Sequence, residues 1–130
     1  RLLFDTEQIY SNGDPNNGDV TVCVLDSPFP EWAKCYSLAK GIKGTAHTVI
    51  QTGAISTADL QQGKTPWLYG KNRSKDLVPG DSGLPWFMLE ENKWCVVSHS
   101  SKGMWGEGPM YPHSKVREKL IKLINKLAIA

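Results

Sequence analysis

Apolar and β-branched residues fall along this chain in short runs, each cut off by a cluster of glycine, proline, asparagine or serine. The run Val20 to Leu25 (VTVCVL) is one of these, and the two prolines of the following DSPFP end any strand there. CYSLAKG (35–41), AHTVIQTGAIS (46–56) and KWCVVSHSS (93–101) repeat the pattern. Only the last stretch has helical spacing. Val116, Leu120, Leu123, Ile124 and Leu127 recur at intervals that share one helix face, with Ser114 as a cap and Pro112 just before it. Many short strands without internal repeats, closed by one helix, predict an all-β fold, a barrel or a sandwich.

Length bounds this picture. The chain has 130 residues, the size of one domain, enough to bury roughly two thirds of its unfolded surface. It is 40% hydrophobic and 22% charged, with 12 Gly and 8 Pro, the composition of an ordinary globular chain rich in turns. The net charge of +2 calls for neither nucleic acid nor a membrane as partner. The basic excess is confined to the terminal helix, where Lys115, Arg117, Lys119, Lys122 and Lys126 face Glu118 alone. A solvated helix face explains this excess; a membrane-surface or partner site is the alternative. No apolar run approaches the roughly 20 residues a bilayer span needs, and the opening RLLFDTEQ is too soon acidic for a signal peptide. Three cysteines, Cys23, Cys35 and Cys95, lack a CxxC pair, which argues against a disulfide framework or a zinc site and for a reducing compartment.

Candidate chemistry sits in VPGDSGLPWF, Val78 to Phe87. Ser82 lies between Asp81 and Gly83, and it is either a nucleophile or a turn serine. The glycine pattern is not the elbow of α/β-hydrolases, because Leu84 stands where that motif wants glycine. As a nucleophile, Ser82 needs a base for its proton and fixed donors for the oxyanion.

Gly80-Asp81-Ser82-Gly83 followed by Leu84-Pro85 resembles the nucleophile segment of chymotrypsin/trypsin-like serine proteases. The resemblance implies a chymotrypsin-like double β-barrel and endopeptidase activity. It implies an oxyanion hole from the backbone amides of Gly80 and Ser82, with Asp81 buried in a structural ion pair with a freed amino terminus or another internal partner. Downstream, KWCVVSHSS resembles the strand that runs along bound substrate, placing Ser98 beneath the catalytic aspartate and His99 where the family has a groove aromatic. GPMYPHSKV resembles the stretch that closes the specificity pocket, with Tyr111 at its base and Ser98 and Ser100 on its wall. Asp76, six residues before Ser82, matches the aspartate that selects basic side chains in the trypsin branch. Lys75 beside it and the lack of a bracing cysteine leave a plain surface aspartate as the other reading. Upstream, GDVTVCVLDSP resembles the segment of the triad carboxylate, which identifies Asp19; a strand-capping loop residue is its alternative.

The family's triad runs His, Asp, Ser, yet residues 1–18 contain no histidine. His47, His99 and His113 all follow Asp19 and match no base position in the family. The resemblance therefore implies residues 1–33 as the last strands of the first barrel plus the interdomain linker, 34–112 as the second barrel, and 113–130 as the terminal helix. It implies a separate polypeptide, the amino-terminal half of the same precursor, that supplies the histidine and covers an apolar edge at Val20, Val22 and Val24. The expected substrate is a peptide or protein, with no metal and no cofactor, because no metal-ligand cluster or phosphate-cradling loop is present. The missing bridges liken the chain to viral or bacterial branches, some of which process polyproteins in a cell or a virus particle. A non-catalytic structural or binding module of the same fold is the second reading.

Overall fold

The structure is a computed structural model that describes residues 2–4, 22–25, 27–62, 67–101 and 108–129. The fold is all-β with one carboxy-terminal helix. A short antiparallel pair joins β1 (Leu2–Phe4) to β2 (Cys23–Leu25). A second, seven-stranded sheet is built from β3 (Ser37–Leu38), β4 (Thr45–Val49), β5 (Ile55–Gln62), β6 (Trp67–Lys71), β7 (Pro85–Glu90), β8 (Lys93–His99) and β9 (Gly108–Pro109). Their order across the sheet is β3-β8-β7-β4-β5-β6-β9, curled into a half-barrel. All neighbours are antiparallel except β3 and β8, which run parallel in the register Ser37↔Cys95. The helix α1 spans Ser114–Ile129.

Alternation at a period of two gives the sheet one buried face. Ala46 and Thr48 of β4, Ser56 and Ala58 of β5, Trp86 and Met88 of β7, and Cys95 and Val97 of β8 point inward. Small residues on β4 and β5 share this core with the larger Trp86, Met88 and Leu68. The opposite face of β8 carries Val96, which with Leu38 and Val22 packs on Tyr111, Val116 and Leu120. Burying Val116 and Leu120 contributes about 1.5–3 kcal/mol each toward docking the helix. Arg117 adds a hydrogen bond from Nη1 to the Ala39 carbonyl at 3.2 Å.

Two sequence expectations need correcting. AHTVIQTGAIS is not one strand but a hairpin: Gly53 at φ +86° turns the chain, and Ile50 and Ala54 close it with a 2.9 Å bond. On α1 the predicted apolar face is buried at Val116 and Leu120, whereas Ile124 is exposed. One edge of β2 is already paired with β1, and Val22 is partly covered by the Tyr111 cluster; Val20 lies outside the described residues.

Polar groups stitch strands where the ladder cannot. Pro85 opens β7 without an N–H, and its carbonyl accepts a 2.7 Å bond from the Thr48 hydroxyl. Glu90 receives the amides of Lys40 at 2.9 Å and Gly41 at 3.0 Å. Burial opposes its ionisation, but these amides, together with the Cys95 thiol and the Lys40 charge, hold its carboxyl below the usual range. Trp86 donates from Nε1 to Ser100 Oγ at 2.8 Å, with both residues buried. Trp86→Phe removes that donor and is expected to cost about 2 kcal/mol. A urea midpoint lowered at unchanged slope checks it; an unaltered midpoint would show the bond to be energetically idle.

Candidate active site

The loop between β6 and β7 carries Ser82, and three anchors hold it. Leu77 is buried at its start. Asp81, fully buried, ties the middle: its Oδ2 accepts the Val78 amide at 2.9 Å and its Oδ1 the Gln51 amide at 3.1 Å. The exit is fixed by β8, where Gly83 donates to the Ser100 carbonyl at 2.6 Å and Ser100 donates to the Leu84 carbonyl at 2.9 Å. Between the anchors the Asp81 amide donates to the Val78 carbonyl at 3.0 Å, closing a tight turn.

The turn has left-handed backbone at Gly80 (φ +102°) and Gly83 (φ +85°), conformations that side-chain-bearing residues rarely adopt. Ser82 stands exposed between them. Among the described residues, no protein acceptor takes the amides of Gly80 and Ser82. The arrangement is therefore an exposed hydroxyl beside two main-chain donors on a backbone secured from below by a carboxyl. Main-chain N–H groups left without protein acceptors in a turn are the kind of donor that can receive an anionic oxygen.

Ser98 and Ser100 are both buried behind the loop on β8 and its exit. Ser98 donates from Oγ to the His99 carbonyl at 3.3 Å, and Ser100 receives Trp86. Tyr111 is buried, and its hydroxyl meets Nδ1 of His99, the two rings lying 5.7 Å apart. Burial pushes the tyrosine pKa far above its ordinary value, so the hydroxyl keeps its proton. Asp76 is exposed, and its neighbour Leu77 fills the buried position. Among the described residues, the partners of Asp81 are the backbone amides of Gln51 and Val78. Asp19 lies outside the described residues.

His47 sits on the outward side of β4, edge-on to Trp94 at 5.2 Å. With Tyr36, Val49, Ile55 and Phe87 it lines an apolar groove of about 300 Å³ on the back of the sheet. His113 precedes α1, and its carbonyl accepts the Arg117 amide at 2.8 Å. Among the described residues, no three His, Cys, Asp or Glu side chains are grouped to hold a metal ion, and no helix is long and apolar enough to cross a membrane. Cys35 and Cys95 are free thiols, and burial raises the pKa of Cys95.

Sequence reasoning missed Gln51. Its contacts with residues 79–81 bridge 30 positions of chain, and nothing in its own neighbourhood marks it apart from the turn signal of Thr52-Gly53. The pairing of Tyr111 with His99 was equally hidden, since the residues approach only through the packing of β8 against the segment before α1. Compared with family models, curated proteins and solved structures, the chain matches none.

Proposed function

We propose that this protein is the nucleophile-bearing part of a serine endopeptidase. The reading rests chiefly on one observation: exposed Ser82 lies between two left-handed glycines, with the amides of Gly80 and Ser82 unclaimed by protein acceptors among the described residues. Glycine adopts this backbone without steric cost, so the turn can keep the Ser82 hydroxyl exposed and both amides free of protein acceptors.

In this proposal Ser82 attacks the scissile carbonyl and the Gly80 and Ser82 amides receive the oxyanion. The curled seven-stranded sheet corresponds to the second of two barrels in a chymotrypsin-like arrangement. The base is a histidine from outside these 130 residues, oriented by Asp19. Two of the described histidines support that assignment: His47 packs on Trp94 behind the sheet, and His99 is engaged by Tyr111. The second reading is a non-catalytic structural or binding module of the same fold that keeps Asp19 and Ser82 by descent.

Fluorophosphonate labelling of the form that includes the histidine-bearing segment separates the two. The expected result is a single adduct on Ser82, lost in Ser82→Ala, with a labelling rate that rises through neutral pH as the imidazole deprotonates. No adduct in an intact, histidine-containing complex would establish the non-catalytic module instead.

A further inference from the structure

Gln51 touches three consecutive residues of the Ser82 loop. Its main-chain N–H donates to Asp81 Oδ1 at 3.1 Å, and its side-chain Nε2 donates to the Pro79 carbonyl at 3.4 Å. Its Oε1 lies 2.9 Å from the place a Cβ on residue 80 would occupy. The Pro79 carbonyl and the Gly80 N–H belong to one planar trans peptide, so they point in opposite directions. Whatever fixes the carbonyl fixes the N–H. Gly80, at φ +102°, has the backbone freedom to let this peptide turn over, and nothing in its own side chain prevents it.

We propose that the Gln51 carboxamide is a positioning residue that locks the 79–80 peptide so that the Gly80 N–H faces the oxyanion. This rests on the hydrolase reading above for its catalytic meaning, but the lock itself is a property of the loop. Asp81 anchors the residue after the peptide and leaves its plane unset; the amide donor of Gln51 sets it. The turn between β4 and β5, closed by the Gly53 amide on the Ile50 carbonyl at 2.8 Å, holds Gln51 in place.

Charge and donor variants at position 51, made in the histidine-containing form, test the lock. Gln51→Glu keeps the shape but turns the donor into an acceptor facing a carbonyl. Gln51→Lys keeps a donor of similar reach. The expected result is a kcat about 10- to 100-fold lower for Gln51→Glu, with KM within about twofold, and substantial recovery in Gln51→Lys, since misaiming one oxyanion donor forfeits part of the 10²–10³-fold such donors provide. Equal kcat in both variants would overturn the proposal. Relaxation dispersion of the Gly80 amide on the same samples gives a readout free of catalysis: exchange on the microsecond-to-millisecond scale is expected in Gln51→Glu and not in the parent. A flat profile in Gln51→Glu would overturn the lock. Lack of Ser82-dependent turnover in the parent would instead refute the hydrolase reading, and the amide measurement would still decide the lock.

Discussion

Gly108→Ala is expected to destabilise the protein by at least about 3 kcal/mol, enough to lower its thermal midpoint by roughly 10 °C. A Cβ there would lie 1.9 Å from the His99 carbonyl oxygen, 2.7 Å from Ser98 Oγ and 3.0 Å from the His99 carbonyl carbon. Two of those atoms are backbone of β8 and cannot swing aside as a side chain could. Retreat in the other direction is barred by β6, with which Gly108 pairs opposite Leu68. The only remedy is to peel β9 from the sheet, exposing buried Pro109 and Met110 and withdrawing Tyr111 from His99. Thermal and urea unfolding followed by circular dichroism measure the loss. A midpoint within about 2 °C of the parent would mean that β9 sits further from β8 than the structure has it.

The second large effect is expected at Asp81. Removing its carboxyl in Asp81→Ala takes away the acceptor of the part-buried Gln51 and Val78 amides and empties the fully buried place of Asp81. Hydrogen bonds to a charged acceptor are worth about 1.5–3 kcal/mol each, so the pair should cost about 3–5 kcal/mol. Asp81→Asn should fall between, because one oxygen still accepts while the amide nitrogen confronts the other donor. Both variants should label at Ser82 at least tenfold more slowly than the parent, since the turn that presents the two main-chain donors loses its tether. Stability unchanged in Asp81→Ala would show that the loop is held by Leu77 and β8 alone.

The sequence made parts of this fold visible and concealed others for physical reasons. Strand content could be read because short β-branched and apolar runs cut off by Gly, Asn or Ser clusters, as in KWCVVSHSS, are a local signal of a sheet. The start of α1 could be read from its cap and the spacing of Val116 and Leu120, but the exposure of Ile124 depends on tertiary packing that the spacing does not record. AHTVIQTGAIS defeated the strand reading because its breaker, Gly53, stands inside an otherwise β-branched run. Of the candidate site, Gly80 and Gly83 announced their backbone by residue type. The partners of Asp81 could not be foreseen, since a carboxyl satisfied by backbone amides leaves no mark on the identities of Gln51 and Val78. Asp76 looked like a pocket residue by count alone, and its exposure beside buried Leu77 reflects which of two neighbours turns inward.

Within the seven-stranded sheet, β4 and β7 share a single register pair, His47↔Phe87, whereas their other neighbours are matched over several. The hairpins on either side are local in sequence, but this junction joins segments about forty residues apart and relies on the Thr48–Pro85 and Gln51–Asp81 bonds near its end. Side chains thus carry this junction more than the backbone ladder does, and the Gln51–Asp81 bond makes the seam between the two hairpins and the footing of the Ser82 turn one and the same tie.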